Sequence, residues 1–344
     1  MREPVGSVSA TDTRSPRLDR GDIDEAARRL TGRVWKTPVV RCDQLDALCG
    51  TRLWLKTENL QRGGSFKVRG ALLAVERLAA SGSRGVIAQS TGNHAIAVAL
   101  AAREYALPTV VVLPSDAAPA KIRRIREAGA HAVTAGTVLA ERVTVVEELR
   151  ELHGYDVIDP YENPHVVAGQ GTATAELIGQ VTAQGGKLDA VVVPIGGGSA
   201  IAGAVLAAAG QGVAVIGAET RAVPAFTEAL RAGRPVTVPV GRTIADGLRP
   251  DRIGALPFDL AHRAVSGAVT VSEAAIADAL RAAFLHARLV IEPAAATALA
   301  AALEHASEHG ADVGVLLTGG NVEPSLVTSL LSDPDVPAPQ TAAR

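Results

Sequence analysis

Short β-branched runs alternate with Ala- and Leu-rich stretches along most of this chain, and no other feature constrains its fold as strongly. Runs at 86–89, 109–113, 132–134, 190–195, 213–218, 268–271 and 313–317 read as strands. Stretches at 95–105, 121–128, 140–152, 173–183, 200–209, 272–286 and 294–305 read as helices. Regular alternation of the two predicts an α/β protein, with parallel sheets covered by helices. A length of 344 residues predicts two domains with sizeable cores. Because 47% of residues are hydrophobic and only 3% aromatic, those cores must be built from Ala, Val, Leu and Ile. Polar or Pro-rich residues at 1–17 and 333–344 predict disordered ends.

Charge and cysteine content exclude several classes of function. With 34 basic and 36 acidic residues, and no basic block, the chain gives no support for a nucleic-acid partner. Cys42 and Cys49 are too few for a disulfide framework or a zinc cluster, and they suit a reducing cytosol. The first residues lack the apolar core of a signal peptide. Apolar runs are broken by Gly, Pro or charge before membrane-spanning length. The expectation is a soluble, cytoplasmic protein with neither a nucleic-acid nor a membrane partner.

Two glycine turns carry chemistry on their own residues. In Gly63-Gly64-Ser65-Phe66-Lys67-Val68-Arg69-Gly70, a lysine follows a flexible turn at the predicted start of a helix through Leu72, Leu73 and Val75. The chain keeps only five lysines (Lys36, Lys56, Lys67, Lys121, Lys187) against a large excess of arginine. A lysine retained there suggests a need for a primary amine, since a guanidinium stays protonated and cannot form an imine. Further on, 189–203 reads as a buried strand, the turn Gly196-Gly197-Gly198-Ser199, and an Ala-rich helix. Consecutive glycines let backbone N–H groups converge on one anion, and the helix N-terminus adds partial positive charge. That suits a phosphate dianion, with Ser199 as a further donor. No Gly-Lys-Ser/Thr follows, so a P-loop fails. Glu219 falls about where a dinucleotide's ribose-binding acid would sit, but Ile201 stands where the third glycine belongs.

Two more turns complete a pattern. Gln89-Ser90-Thr91-Gly92-Asn93-His94 links a predicted strand to a predicted helix, and Leu317-Thr318-Gly319-Gly320-Asn321 ends another strand. Taken in order, the four motifs resemble those of the serine/threonine dehydratases and serine racemases. These are fold-type II (tryptophan synthase β-like) pyridoxal-phosphate enzymes, and the resemblance covers roughly 20–330.

The resemblance implies two open, twisted parallel-sheet domains covered by helices, with a small domain of 85–165 inserted into a large one of 18–84 and 166–332. It implies pyridoxal 5'-phosphate on Lys67 beside Phe66, its phosphate on Gly196, Gly197, Gly198 and Ser199, and Asn93 on its ring oxygen. Thr318 would meet the pyridine nitrogen. A neutral hydroxyl there does not hold a proton on that nitrogen, which favours β-elimination over transamination. The substrate carboxylate would lie on Ser90, Thr91, Gly92, Asn93 and His94. Thr91 departs from the family's usual alanine, and its hydroxyl leaves racemisation open. Gly-Gln-Gly-Thr at 169–172 looks structural, entering a helix; Glu292-Pro293 resembles an element near the cofactor ring. Arg142 falls near a second-carboxylate position, and a solvated helix arginine explains it as well. No metal site is expected, because Thr220–Ala225 offers no acid to join Glu219 and no His/Cys cluster has ligand spacing.

The expected function is a dehydratase, or ammonia-lyase, acting on a small β-hydroxy amino acid such as serine or threonine, as a homodimer. Serine racemase, 3-hydroxyaspartate ammonia-lyase, a β-replacement synthase and a non-catalytic ligand-binding paralogue are the alternatives.

Overall fold

The structure is a computed structural model, and it describes residues 18–332 apart from 91, 116, 118, 137 and 138. Among the described residues ten strands form two sheets. They are β1 Val39–Val40, β2 Arg52–Thr57, β3 Val86–Gln89, β4 Thr109–Leu113, β5 His131–Thr134, β6 Asp156–Val157, β7 Ala190–Pro194, β8 Ala214–Thr220, β9 Gly267–Val271 and β10 Asp312–Leu317. The larger sheet runs β1-β2-β10-β7-β8-β9 and the smaller β5-β4-β3-β6. Every pairing is parallel except β1 with β2.

Parallel strands need crossovers, and thirteen described helices supply them and cover the sheets. They are α1 Arg20–Leu30, α2 Asp43–Cys49, α3 Lys67–Ala80, α4 Asn93–Arg103, α5 Pro119–Glu127, α6 Leu139–His153, α7 Pro164–Ala183, α8 Ser199–Ala208, α9 Ala225–Ala232, α10 Ala255–Ala261, α11 Glu273–Ala282, α12 Pro293–His305 and α13 Pro324–Ser332. Strands such as β4, Thr-Val-Val-Val-Leu, are buried along their whole length, as a sheet covered on both faces requires. All seven predicted strands form. Three strands were not anticipated: β1, β2 and β6.

The predicted helix at 173–183 begins nine residues earlier, at Pro164. Asn163 Oδ1 accepts from His165 N (2.9 Å) and Val166 N (3.3 Å), and Pro164 occupies the first helical turn, where its missing N–H costs nothing. Gly169-Gln170-Gly171-Thr172 is therefore inside α7 rather than leading into it. Its glycines have a packing reason. A Cβ on Gly169 would lie 2.5 Å from Gly70 Cα in α3, and one on Gly171 would lie 2.7 Å from Gly203 O in α8. The backbones of α3 and α8 thus both pass against α7, within four residues of their own first residues, Lys67 and Ser199. Gly169→Ala must push α3 away from α7. We expect a loss of about 1–3 kcal/mol of stability in urea melts; an unchanged midpoint would refute this account of the crossing.

Candidate active site

Lys67 opens α3, and the loop before it is strapped to the turn after β10. Phe66 N donates to Thr318 O (3.0 Å), Gly320 N to Gly64 O (2.9 Å), and Ser65 bridges Gly319. The strap needs glycine. Gly63 and Gly64 have φ of +70° and +75°, and a Cβ on Gly63 would meet Leu100 Cδ1 at 2.7 Å. A bulkier residue at 63 would therefore be strained here.

Lys67 Nζ reaches Ser199 Oγ at 3.2 Å and Pro160 O at 3.5 Å. Burial drives its pKa down to about 8, against the opposing charges of Asp159 and Glu292. An amine so placed is partly uncharged near neutrality and able to act as nucleophile or base.

Ser199 is the first residue of α8, and Gly198 before it has φ +103°. Each turn glycine is sterically required. A Cβ on Gly197 would lie 2.1 Å from the Tyr161 ring, one on Gly198 2.6 Å from Pro257 Cβ, and one on Gly196 2.9 Å from Gly247 O. No side chain caps α8 at its N-terminus, so its first N–H groups remain available to an anion. Uncapped amides, the Ser199 hydroxyl and the Lys67 amine form a donor set that fits a phosphate joined to an aldehyde. The residues present fit pyridoxal phosphate.

The third motif opens α4, whose N-terminus also lacks a side-chain cap. Ser90 Oγ accepts from Gly92 N (3.2 Å). Thr91 lies outside the described residues. The His94 imidazole faces inward, with Nε2 at 2.9 Å from Ile158 O. Burial first, and Lys67 second, push that ring down to about 4, so it is neutral and its Nε2 holds the hydrogen facing the carbonyl. What His94 can offer an anion is its backbone N–H. Thr318 is buried at the end of β10 with its carbonyl on Phe66 N.

The structure also shows contacts that sequence reasoning did not anticipate, and adds Tyr161, Lys56, Glu58, Arg69 and Glu176 to the residues around the site. Asn93 Nδ2 donates to Glu292 Oε1 (2.7 Å), and Asn93 Oδ1 accepts from Asn321 Nδ2 (2.8 Å). Burial raises Glu292 to about 7, with Asn93 opposing. Tyr161 leans its ring on the glycine turn, held by Asp159 Oδ1, which accepts from Tyr161 N (2.8 Å). Behind the site lies a buried ion cluster. Arg69 pairs bidentately with Glu58 and Glu176, all contacts at 2.8–2.9 Å. Lys56 Nζ meets three acceptors at 2.8 Å: Thr37 O, Glu176 and Gln180. Lysine scarcity, which singled out Lys67, could have flagged Lys56 too. Glu219 is engaged as an N-terminal cap of α9, accepting from Phe226 N, Thr227 N and Thr227 Oγ1 at 2.7–2.8 Å. Among the described residues no His/Cys/Asp/Glu group is arranged to hold a metal.

Comparison with known proteins finds relatives over most of the chain. Residues 30–319 match the family described as pyridoxal-phosphate dependent enzyme. The chain is 36% identical to an L-threo-3-hydroxyaspartate ammonia-lyase of Saccharomyces cerevisiae, over 91% of this chain and 96% of that protein. Among solved structures it superposes on a threonine deaminase of T.th. with TM-score 0.84 and 39% identity, over 89% and 99% of the two chains. A serine racemase from Dictyostelium discoideum gives TM-score 0.82 and 34% identity over the same shares. The chain belongs to the fold-type II family of pyridoxal-phosphate-dependent enzymes.

Proposed function

We propose that the protein is a dehydratase, or ammonia-lyase, that removes water and ammonia from a small β-hydroxy amino acid to give a 2-oxo acid. The observation that carries this is the Lys67 amine, its pKa down near 8, lying 3.2 Å from Ser199 Oγ at the α8 N-terminus. Pyridoxal phosphate, when bound, supplies an electron sink conjugated to the substrate Cα. Lys67 holds it, with Phe66 alongside; Gly196, Gly197, Gly198 and Ser199 hold its phosphate, Asn93 its ring oxygen and Thr318 its ring nitrogen. Backbone amides of Ser90, Thr91, Gly92, Asn93 and His94 receive the substrate carboxylate at the uncapped α4 N-terminus. The Lys67 amine, freed once the substrate amine has taken its place, would then take the Cα proton. The β-hydroxyl leaves as water, its proton delivered at the Gly196–Ser199 cradle. The released enamine hydrolyses to 2-oxo acid and ammonia.

Serine and threonine are the default substrates, and threo-3-hydroxyaspartate stands beside them because ammonia-lyases for it are among this chain's relatives. Cofactor-loaded protein, incubated with each of the three L-amino acids, is expected to release 2-oxo acid and ammonia in equal amounts from at least one. Chiral analysis of recovered serine separates racemisation, and added thiol exposes β-replacement. No 2-oxo acid from any of the three would overturn the lyase reading.

The division into 18–84 with 166–332 and a smaller 85–165 is part of the same proposal. It is supported by the smaller sheet drawing all four strands from 86–157. So is a cytoplasmic homodimer: both cysteines are free, and Leu60, Phe284, Leu285 and Val290 are exposed. Light scattering showing a monomer would reject the dimer.

A further inference from the structure

The orientation of one side-chain amide is fixed from a distance of more than two hundred residues. Asn321 Nδ2 lies 2.7 Å from Gly63 O and 2.8 Å from Asn93 Oδ1. A backbone carbonyl can only accept, so the Asn321 amide must turn its nitrogen toward Gly63. Both of its hydrogens are then committed, one to Gly63 O and one to Asn93. The Asn93 atom that receives the second must be its oxygen. Asn93 Nδ2 is thereby aimed the other way, at Glu292 Oε1 (2.7 Å). Glu292 is itself held, with its backbone N–H on Gly319 O (2.9 Å). Space is tight at both ends: a Cβ on Gly64 would meet Asn321 Oδ1 at 2.4 Å, and one on Gly319 would meet Glu292 Oε1 at 2.4 Å.

We propose that Asn321 is a positioning residue that locks the Asn93 amide with its oxygen occupied, so that Asn93 presents an N–H, never an acceptor, to the ring oxygen of pyridoxal phosphate. This rests on the reading of Asn93 as the ring-oxygen contact. Among the described residues, the Asn93 nitrogen has one acceptor, Glu292, and two hydrogens to give. The second hydrogen is the donor offered to the cofactor. A donor at that place favours the ring oxygen as an anion; an acceptor there would disfavour it.

Asn321→Asp keeps the shape and removes both donors. In that variant Asn93 is expected to turn its nitrogen toward the new carboxylate and its oxygen toward Glu292. Cofactor affinity, measured by reconstitution of stripped protein, should weaken about ten- to hundred-fold, the loss of one charge-assisted hydrogen bond. The ratio of long- to short-wavelength absorbance of the bound cofactor should fall, because the ring oxygen is no longer held as an anion. Loss of packing alone would lower the melting temperature without moving that ratio. Asn321→Asp with Glu292→Gln should regain part of the lost melting temperature, since the partners of Asn93 are again matched while Gly63 O still lacks its donor, yet keep the altered ratio. Unchanged affinity and an unchanged ratio in Asn321→Asp would overturn the proposal, provided Asn93→Ala shifts both. If Asn93→Ala also shifts neither, the ring-oxygen contact itself is wrong, and the positioning role falls with it.

Discussion

Lys67→Met is expected to do two opposite things: abolish turnover and stabilise the cofactor-free protein. The first follows from losing both the cofactor's attachment point and the base for Cα, a fall of about 10⁴-fold or more in kcat. The second follows from the pKa. Burial holds the Lys67 amine at about 8, below its ordinary 10.5, so the folded chain sheds this proton more readily than the unfolded chain. The stability cost is fully present below pH 8 and fades as the pH rises through 8 to 10.5. Methionine keeps the volume and has no charge to bury. At pH 7 the cofactor-free variant should gain on the order of 2 kcal/mol in denaturant melts, with the gap closing toward pH 10. Retained turnover would sink the assignment of Lys67; a variant less stable at pH 7 would sink the burial argument.

Arg69→Met should produce the largest loss of stability from a single substitution. Arg69 and Glu58 are both 0% exposed, so neither charge has water to fall back on. Burial works against each ion, and each is kept charged by the other: Glu58, with Lys56 also nearby, is held below the usual carboxylate range, and Arg69 above its ordinary value. Removing the guanidinium strands Glu58 and loosens Glu176 and Lys56 together. Breaking such a pair costs about 3–5 kcal/mol, a large share of a typical domain's total of about 5–15 kcal/mol. The sign with pH is fixed by Glu58. Its folded pKa is depressed, so its contribution is present above about pH 4.5 and is lost as pH falls through the folded value. The gap between variant and wild type should therefore narrow in acid. Adding Glu58→Gln should recover part of the loss. Urea melts of the single and double variants at pH 7.5 and well below pH 4.5 make the check, and a single variant as stable as wild type at pH 7.5 would refute the account.

What could be read ahead of the structure was whatever is written in consecutive residues. β4 is apolar after its first residue, so its burial on two faces is plain in Thr-Val-Val-Val-Leu. Lys67 and Ser199 announce themselves through the glycines beside them, because a positive φ or a close approach leaves few other choices. β2 stayed hidden because Lys56 interrupts it, and the carboxylate that makes a buried lysine tolerable is 120 residues away. The first half of α7 stayed hidden because Gly169 and Gly171 look like breakers until Gly70 and Gly203 are seen against them. Asn321 was visible in its motif, but its task depends on a hydrogen bond spanning 228 residues. Polarity of that kind is a property of the assembled network and has no local trace.

The strap between Gly64–Phe66 and Thr318–Gly320 has a consequence for synthesis. β2, just upstream of Lys67, pairs in parallel with β10, whose first residue lies 260 positions later in the chain. On the ribosome the lysine emerges early, while the turn that fixes its loop is still about 250 residues from being made, roughly 12 to 50 s at ordinary elongation rates. Throughout that interval the loop carrying Lys67 lacks the β10 turn that straps it, and until α8 has been made it lacks the Gly196–Ser199 cradle as well. The loop that carries Lys67 is thus anchored only once the β10 turn has been made, and a chain interrupted before Thr318 lacks that anchor.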